Sequence, residues 1–253
     1  MNLDLLVLVG LPFICSVQIV VYIVYASIFG KPRFERVDQQ GGNRLLGKTV
    51  MEVFYLNLQP LARLMAHWRI SPNAISLVSL LLGLMGGLMI AGEYVALAII
   101  ALILSGLLDV VDGAVARMKG QVTEVGYVLD SQLDRYVEFF FLAGAVVYYR
   151  MDLMGQLAAL SCLLGSFLVS YSTLMARLKN IDSPPGSIIM RRSERLCYLV
   201  ISTYLLLFAR RVKFQVDPFY WGLMFVASLS NFSAIQILIR ILKTLRVREF
   251  RAR

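Results

Sequence analysis

Four aspartates lie close together in a part of the chain that is otherwise apolar. Asp109 and Asp112 are three residues apart and Asp130 and Asp134 are four apart, so on helices the two members of each pair share one face. The sequence YVALAIIALILSGLL precedes the first pair, and VEFFFLAGAVVYY follows the second. Ionisable groups inside membrane-spanning segments are costly and therefore mark functional sites. The sequence predicts a shared function for the four acids.

A polar segment between the two pairs predicts how they meet. Residues 118–125 (MKGQVTEV) lie between Arg117 and Gly126 and can turn the chain between two antiparallel helices. The nearer aspartate of each pair is five residues from Arg117 or four from Gly126, and the farther is eight residues away in both cases. With about 1.5 Å of rise per residue, the pairs lie at matching depths, roughly 6–8 Å and 12 Å from the turn.

Four facing carboxylates indicate a metal site. They could not all stay ionised in a low-dielectric interior without countercharge, which one or two divalent cations would supply. Ligands that are all oxygen favour Mg²⁺ or Mn²⁺ over zinc. Gly113 and Ala116 remove side-chain bulk beside the acids and leave room for a ligand. The alternative is that the aspartates are helix-end residues paired with neighbouring cations (Arg117, Lys119 and Arg135), but the mirrored depths and the small residues favour the metal site.

The same segment resembles a known signature. It reads Asp109-x-x-Asp112-Gly113-x-x-Ala116-Arg117, then eight residues, then Gly126-x-x-x-Asp130-x-x-x-Asp134. This is similar to the complete signature of the CDP-alcohol phosphatidyltransferases, with all eight positions filled over 26 residues. Together with the pattern of apolar runs, the resemblance covers roughly residues 43–245. Members of the family are integral membrane enzymes that transfer a phosphatidyl group from a CDP-linked lipid to an alcohol and release CMP.

The resemblance implies roles for the signature residues. It makes CDP-diacylglycerol the expected donor and two Mg²⁺ or Mn²⁺ ions the expected cofactors. The implied metal ligands are Asp109, Asp112, Asp130 and Asp134. Asp134 is also the implied catalytic base, because the acceptor hydroxyl must lose a proton as it attacks. The positions expected to contact the nucleotide are Asp109, Asp112, Gly113, Ala116, Arg117 and Gly126.

Basic residues near a later loop indicate the acceptor. Arg191-Arg192-Ser193-Glu194-Arg195-Leu196 resembles an element of bacterial phosphatidylinositol-phosphate synthases in which arginines hold the acceptor's phosphate. The preceding run Ser172-Thr173-Leu174-Met175-Ala176-Arg177 is similar to a motif of the same enzymes, except that Met175 replaces a lysine. The expected acceptor-binding residues are Ser172, Arg177, Arg191, Arg192 and Arg195. The alternative is that these arginines only fix membrane topology or bind lipid headgroups.

The composition indicates a membrane protein. Of the 253 residues 58% are hydrophobic and the mean hydropathy is +0.72, which exceeds the values of ordinary soluble domains. The net charge is +9, but the basic residues lie beside apolar runs, which favours membrane surfaces over nucleic acid as the partner. The three cysteines (Cys15, Cys162 and Cys197) fall in or at the edge of apolar runs without metal-ligand spacing.

The apolar runs predict an all-α integral membrane protein with four regions. Residues 1–30 are an additional N-terminal transmembrane anchor, and residues 31–70 are a cytoplasmic linker with an interfacial amphipathic helix over about 44–67. Residues 71–245 are a catalytic bundle of six transmembrane helices, which begin at about 71, 95, 126, 154, 195 and 218. Ser71 is the expected N-cap of the first of these and Pro72 lies in its first turn. Residues 246–253 are a basic cytoplasmic tail.

The distribution of Lys and Arg predicts the orientation. The loops and tail on the side of the aspartates hold twenty Lys or Arg, and the opposite side holds four, namely Arg150, Arg210, Arg211 and Lys213. The positive-inside rule therefore places the N-terminus outside, and the C-terminus and the acidic site in the cytoplasm of a cell (inner) membrane.

These observations predict an enzyme of phospholipid synthesis. The favoured acceptor is a phosphorylated polyol, with inositol phosphate ahead of glycerol phosphate, while serine and free inositol remain open. Two readings of other classes are an inactive membrane scaffold and a cation transporter that uses intramembrane carboxylates. The complete set of acids argues against the scaffold, and their clustering near one face argues against a through-pathway. The resemblance further implies a homodimer.

Overall fold

Helices account for the part of the chain that can be described. The computed structural model describes residues 3–32, 34, 47–181 and 190–252. These residues form eight helices: α1 (Leu3–Phe29), α2 (Gly47–His67), α3 (Pro72–Ala91), α4 (Val95–Met118), α5 (Glu124–Tyr148), α6 (Leu153–Leu178), α7 (Arg192–Val212) and α8 (Pro218–Ala252).

The helix lengths and compositions fit a multi-pass membrane protein. Within the described ranges, five helices are long and apolar enough to cross a membrane, namely α1, α3, α4, α6 and α8. The other long helices of the bundle, α5 and α7, carry more charge, because Asp130, Asp134, Arg135 and Glu138 lie on α5 and Arg192, Glu194, Arg195, Arg210 and Arg211 lie on α7. The all-helical membrane fold expected from the sequence is therefore confirmed.

Helix α3 shows how the bundle excludes lipid. Its inward face is made of small residues, and its outward face is made of large apolar ones. The buried residues include Ser76, Ser79, Gly83, Gly86 and Gly87, while the exposed ones include Leu77, Leu81, Met85 and Leu88. Small residues at helix contacts and large apolar side chains toward the outside are the pattern expected of a helix in a bilayer. Helix α3 packs against both α4 and α5 and so joins the two helices that carry the aspartates.

The contact between α3 and α5 requires glycine on both sides. A Cβ atom added to Gly87 would lie 2.2 Å from the carbonyl oxygen of Phe140, and one added to Gly144 would lie 2.1 Å from the carbonyl oxygen of Gly87. Atoms essentially never approach so closely, so the two backbones touch directly. This contact fixes the position of α5, and with it the depth of the aspartates on that helix.

The remaining bundle helices are joined in a similar way. Gly165 of α6 lies against Ser230 and Asn231 of α8, and Asn231 Nδ2 donates a hydrogen bond to the Ser161 carbonyl at 3.0 Å. Gly222 of α8 lies against Ser202 of α7. Helix α8 thereby packs against α6 and α7, and α7 in turn contacts α4.

The two N-terminal helices are joined to each other by a polar contact, and they pack onto the bundle through polar and apolar contacts. Tyr22 of α1 donates a hydrogen bond to Glu52 Oε2 of α2 at 2.7 Å, and both side chains are buried. Tyr204 of α7 donates to the Leu8 carbonyl of α1 at 2.8 Å. The apolar face of α2 includes Ala62, which joins Ile75, Val111 and Val115 in a cluster beside α3 and α4. The expected helix over about 44–67 is therefore present from Gly47, and residues 35–46 of the expected linker lie outside the described residues.

Most predicted boundaries match the structure within a few residues. Ser71 caps α3 by accepting a hydrogen bond from the Ala74 amide, with Pro72 as the first helical residue. The largest difference is at the C-terminus, where α8 continues to Ala252 through residues that were expected to form a separate tail from residue 246. The expected tail therefore continues the last helix, because its sequence contains neither proline nor glycine.

Arg210, one of the cations opposite the main basic side, has local partners. Arg210 Nη2 lies 3.4 Å from Glu93 Oε2 and donates to the Tyr148 hydroxyl at 3.0 Å. Arg150 lies 3.5 Å from the other carboxylate oxygen of Glu93. Glu93 and Tyr148 thus account for Arg210, and Glu93 accounts for Arg150, whereas the described residues give no explanation for Arg211 and Lys213.

Replacing Gly87 by alanine should loosen the contact between α3 and α5. Because the added methyl group would meet backbone atoms that cannot turn away, we expect a loss of about 1–3 kcal/mol in the free energy of unfolding. Gly10→Ala is a matched control, since an added Cβ there meets nothing within 4 Å. Thermal unfolding of both variants in the same detergent measures the difference. Equal melting temperatures for the two variants would contradict the close contact.

Candidate active site

Three carboxylates from two helices converge in the structure. Asp109 and Asp112 of α4 and Asp130 of α5 each offer an oxygen atom, and these atoms all lie within 4.8 Å of one another. The two helices place them together because both pairs occupy one helix face at similar distances from the turn between Met118 and Glu124. The convergence predicted from the spacing is therefore present for these three aspartates.

Helix α3 contributes a hydroxyl group to this cluster. The Ser76 hydroxyl donates a hydrogen bond to Asp112 Oδ2 at 2.5 Å, and both side chains are buried. The bond helps to fix the orientation of the Asp112 carboxylate. Sequence reasoning missed Ser76, which is 36 residues from its partner. Its one local signal was its place five residues after the helix cap Ser71, on the small-residue face of α3.

The fourth aspartate pairs with an arginine from α7. Arg192 Nη1 lies 2.5 Å from Asp134 Oδ2 and donates hydrogen bonds to both oxygens of Asp109 at 3.0 Å. The side chains of Asp134 and Arg192 are 14% and 21% exposed, so the pair is accessible at its rim and not sealed in the core. Arg192, expected at the acceptor, thus reaches the acids directly, and Asp134 lies at the boundary between the carboxylates and the arginine.

A second acid–arginine contact lies one turn further along the same helices. Glu138 of α5 is 3% exposed and Arg195 of α7 is 1% exposed. Arg195 donates from Nε to Glu138 Oε1 at 2.8 Å and from Nη2 to Glu138 Oε2 at 3.3 Å. Glu138 Oε2 also accepts from Arg135 Nη1 at 3.0 Å and from the Ser166 hydroxyl at 2.6 Å.

Sequence reasoning missed Glu138. The available signal was its spacing, because Asp130, Asp134 and Glu138 follow at intervals of four residues and so continue one face of α5. For Arg195 the structure shows a guanidinium bound by Glu138 and, from Nη1, by the Met190 carbonyl at 3.3 Å. Its expected contact with an acceptor stays a prediction.

The residues expected to contact the nucleotide lie around the turn between α4 and α5. Gly113 and Ala116 are half-buried on α4, and Arg117 is exposed at its end. Gly126 lies in the first turn of α5, where its amide donates to the Thr123 hydroxyl at 3.0 Å. Lys119 donates to the Ile70 carbonyl at 2.7 Å and ties this turn to the start of α3. These positions border the aspartates, and their contact with a nucleotide stays a prediction.

The other residues expected at the acceptor are spread along one end of the bundle. Ser172 is buried on α6, and the Arg177 guanidinium at the end of that helix donates to the Tyr127 hydroxyl at 2.5 Å. The Arg191 amide donates to Glu194 Oε2 at 2.7 Å and so begins α7. The rest of the connecting segment, residues 182–189, lies outside the described residues. Arg192, a member of the expected set, is in direct contact with Asp109 and Asp134.

The donor set fits a divalent metal ion. Three carboxylates within one small volume supply oxygen ligands only, which is the preference of Mg²⁺ and Mn²⁺. The hydrogen bond from Ser76 to Asp112 is the kind of second contact that orients a ligating carboxylate. Asp109, Asp112 and Asp130 would therefore hold such an ion, and Asp134 adjoins them.

Comparison with known proteins assigns the chain to a family. The CDP-alcohol phosphatidyltransferase family model matches residues 69–233. The chain is 31% identical over 201 residues to the phosphatidylinositol phosphate synthase of Corynebacterium glutamicum, a match that covers 76% of this chain and 87% of that protein. It is 31% identical over 151 residues to the archaetidylinositol phosphate synthase of Pyrococcus horikoshii, covering 57% and 77%.

Solved structures show the same fold. The phosphatidylinositol phosphate synthase of Mycobacterium tuberculosis with CDP-DAG bound aligns with a TM-score of 0.61 at 22% identity, over 73% of this chain and 92% of that chain. The same enzyme in complex with manganese and citrate aligns with a TM-score of 0.62 at 21% identity, over 73% and 88%. Since the family model spans the helices that carry all eight signature residues, this chain belongs to the CDP-alcohol phosphatidyltransferase family and is a membrane-embedded transferase.

Proposed function

We propose that this transferase moves a phosphatidyl group from CDP-diacylglycerol to inositol phosphate, with release of CMP. The proposal rests on one observation. Arg192 contacts Asp109, which belongs to the cluster of three carboxylates, and it also contacts Asp134. Acids that can hold divalent cations suit the pyrophosphate of the donor, and an arginine suits the phosphate of the acceptor. The acid cluster and Arg192 are in contact, so a donor bound at the acids and an acceptor bound at Arg192 would lie close enough to react.

Asp134 is the proposed general base. The acceptor hydroxyl oxygen forms a bond to the phosphorus that carries the diacylglycerol, and its proton passes to a carboxylate oxygen of Asp134. The bond from that phosphorus to the bridging oxygen of the pyrophosphate breaks, and CMP leaves with the electron pair. Asp134 suits this role because it lies between the metal-binding carboxylates and Arg192, where donor and acceptor would meet.

The signature residues on α4 and at the start of α5 would hold the donor. Gly113 and Ala116 present little side-chain bulk, so a nucleotide can approach the α4 backbone. Arg117 at the exposed end of α4 and Gly126 across the turn would border the nucleotide. The Mycobacterium tuberculosis enzyme, which shares the fold, has been solved with CDP-DAG bound, and this supports the proposed donor.

The aspartates would hold two Mg²⁺ or Mn²⁺ ions. Asp109, Asp112 and Asp130 would be the main ligands, with Asp134 as an additional one. When bound, such ions neutralise phosphate charge and make the phosphorus more electrophilic. The manganese complex of the Mycobacterium tuberculosis enzyme supports this cofactor class.

The acceptor is proposed from α7 and the end of α6. Arg192 would bind the acceptor's phosphate through its forked donors, together with the other residues of the expected set, Ser172, Arg177, Arg191 and Arg195. Met175 stands where the resembling synthases carry lysine, so one cationic contact is absent here. The Corynebacterium glutamicum relative is a phosphatidylinositol phosphate synthase, which supports inositol phosphate as the acceptor. Glycerol phosphate, serine and free inositol are the competing acceptors.

The proposed setting is a cell membrane with the acidic site on the cytoplasmic side. The excess of Lys and Arg on that side supports this orientation, with the N-terminus outside and the C-terminus inside. We also propose a homodimer.

The first prediction concerns the reaction. Purified protein with CDP-diacylglycerol and Mn²⁺ should release CMP with inositol phosphate and much less with glycerol phosphate, serine or inositol. Asp134→Asn should lower the rate about 100-fold or more, because an amide cannot take the proton. Asp217→Asn is the matched control and should retain activity. Asp217 accepts a hydrogen bond from the Tyr149 hydroxyl, and Tyr149 is not among the residues proposed for the active site. No release with any acceptor from folded protein would refute the proposed function.

The second prediction concerns the metal. Ser76→Ala removes the hydrogen bond that orients Asp112, so we expect Mn²⁺ affinity to fall about tenfold or more. Ser79→Ala is the control, because the Ser79 hydroxyl donates to the Ser105 carbonyl and not to an aspartate. Mn²⁺ binding followed by electron paramagnetic resonance measures both variants without substrate. Equal affinities for the two variants would show that Ser76 does not support a metal ligand.

The third prediction concerns the setting. Green fluorescent protein fused after Arg253 should fluoresce in cells, because it folds on the cytoplasmic side only, whereas alkaline phosphatase at the same position should be inactive. Active phosphatase would show that the orientation is the opposite of the proposed one.

The proposed homodimer can be tested by light scattering in detergent. We expect a protein mass of about twice 28.4 kDa, and a mass of one chain would refute the dimer.

A further inference from the structure

A cavity lies at the end of the bundle opposite the aspartates, between the start of α1, the start of α4 and the end of α7. Its volume is about 410 Å³, which is within the range of roughly 300–1,000 Å³ that small-molecule sites occupy. Leu97 of α4 lines it and is 15 residues from Asp112 on the same helix, so the cavity lies roughly 22 Å from the acids. This distal cavity is therefore separate from the candidate active site.

The cations of the distal cavity are the ones that run against the positive-inside rule. Arg210, Arg211 and Lys213 all line it. Arg210 is bound to Glu93, which also lines the cavity, and to the Tyr148 hydroxyl. Arg211 and Lys213 form no hydrogen bond or ion pair with any residue that the structure describes. Two cations without protein partners at the end of a membrane bundle favour an anionic ligand.

The charge of the cavity indicates the class of anion. Asp4 of α1 also lines it and likewise has no hydrogen-bond or ion-pair partner within the described ranges. Glu93 offsets the charge of Arg210, so Asp4, Arg211 and Lys213 together leave one positive charge. A phosphodiester group carries one negative charge and would balance it. A zwitterionic headgroup would leave one cation unmatched.

The other walls of the cavity fit a lipid better than a soluble anion. Val95 and Leu207 are buried at 3% and 4% exposure, whereas Tyr94 and Leu97 are 63% and 40% exposed. Tyrosine is typical of the bilayer surface, and an exposed leucine on a membrane helix faces lipid chains. A phospholipid would use both parts, with its phosphate at the cations and its chains along the apolar wall. A soluble anion would use the polar part alone.

Helix α1 completes the cavity and is held there by contacts of its own. Val7 packs into the main apolar cluster of the bundle, and Leu8, one turn after Asp4, accepts a hydrogen bond from the Tyr204 hydroxyl at 2.8 Å. The family model begins at residue 69, so the wall formed by α1 lies outside the family domain. The distal cavity therefore depends on the additional N-terminal helix of this chain.

The backbone at the cavity also favours a role for the charged side chains. Glu93 has a φ of 67° and Lys213 a φ of 55°, which is the left-handed region where glycine is the usual residue at a helix end. Attraction to the negative end of α7 favours a cation near that end but does not require one at a strained position. Residues held in this conformation are enriched at functional sites.

We propose that the distal cavity binds an anionic phospholipid whose headgroup carries one negative charge. Its phosphate lies between Arg211 and Lys213, a hydroxyl group of the headgroup donates to Asp4, and its chains lie against Leu3 and Leu97. The inference goes beyond the proposed function and does not depend on it, because the cavity is remote from the aspartates. In the proposed orientation this lipid belongs to the outer leaflet.

The first test measures lipid binding by native mass spectrometry of the full-length, delipidated protein without metal or CDP-diacylglycerol. Phosphatidylglycerol should bind at least tenfold more tightly than phosphatidylethanolamine. Arg211→Gln and Lys213→Asn should each lower the affinity for phosphatidylglycerol about fivefold, and asparagine is chosen because it tolerates the left-handed conformation. Arg150→Gln is the matched control, since Arg150 binds Glu93 at the same end of the bundle but does not line the cavity. Equal losses in all three variants, or equal affinities for the two lipids, would overturn the proposal.

The second test fills the cavity without changing any charge. Leu97→Trp should lower the affinity for phosphatidylglycerol about fivefold or more, because the larger side chain occupies the space of the ligand. Leu104→Trp is the control, since Leu104 lies two turns further along the same face of α4 with a similar exposure of 43%. Gel filtration and thermal unfolding in detergent check that the variants fold. Equal affinities of the two tryptophan variants would overturn the proposal even if the charge variants did not fold.

Two further measurements distinguish other places and other ligands. If phosphatidylglycerol were bound among the aspartates, Arg192→Gln would lower its affinity and Arg211→Gln would not. If the cavity took a soluble phosphate, an equal concentration of glycerol phosphate would displace the lipid. Either result would overturn the proposal. Failure of the proposed function is seen separately, as the absence of CMP release with any acceptor, and would leave these lipid affinities unchanged.

Discussion

The structure depends on the need to balance carboxylates inside a bundle that faces lipid. Apolar side chains do not drive membrane helices together as they do in water, so close backbone contacts and polar interactions must hold the helices in place. Here the two requirements are met by the same elements. The glycines of α3 bring α5 close, and Ser76, which also lies on α3, donates a hydrogen bond to Asp112. The contact surface of α3 thus supports both the packing and the chemistry.

Charge balance also explains why α5 and α7 are the most polar long helices of the bundle. Both carry ionisable residues whose partners lie on the other helix, with Asp134 against Arg192 and Glu138 against Arg195. Neither helix could place these residues in a membrane alone at acceptable cost. The charged faces are therefore satisfied only in the assembled bundle, and they specify how α5 and α7 are rotated toward each other. Hydropathy alone does not select these two helices as spans, because their charged residues serve this contact.

Much of this arrangement could be predicted from the sequence because it depends on local patterns. The aspartate spacing predicted the convergence of Asp109, Asp112 and Asp130, the apolar runs predicted where most helices begin, and Ser71 with Pro72 predicted the start of α3. Contacts between distant segments could not be predicted in this way. The bond from Ser76 to Asp112 and the burial of Arg195 depend on how helices are rotated in the bundle, which no local spacing encodes. The motif therefore grouped Arg192 and Arg195, although only Arg192 meets the aspartates in the described structure.

The placement of Arg192 links these constraints to specificity. An arginine bound to Asp109 and Asp134 contributes positive charge to the acid cluster, so the cluster and the arginine stabilise each other in the protein alone. A phosphate at the acceptor position would compete with Asp134 for that guanidinium, and Asp134 would then be free to accept a proton. An acceptor without a phosphate would leave the pair intact. If Arg192 binds the acceptor as proposed, the acceptor's own charge would release the proposed base, and the proposed preference for a phosphorylated acceptor would follow from the contact that also keeps the acids balanced.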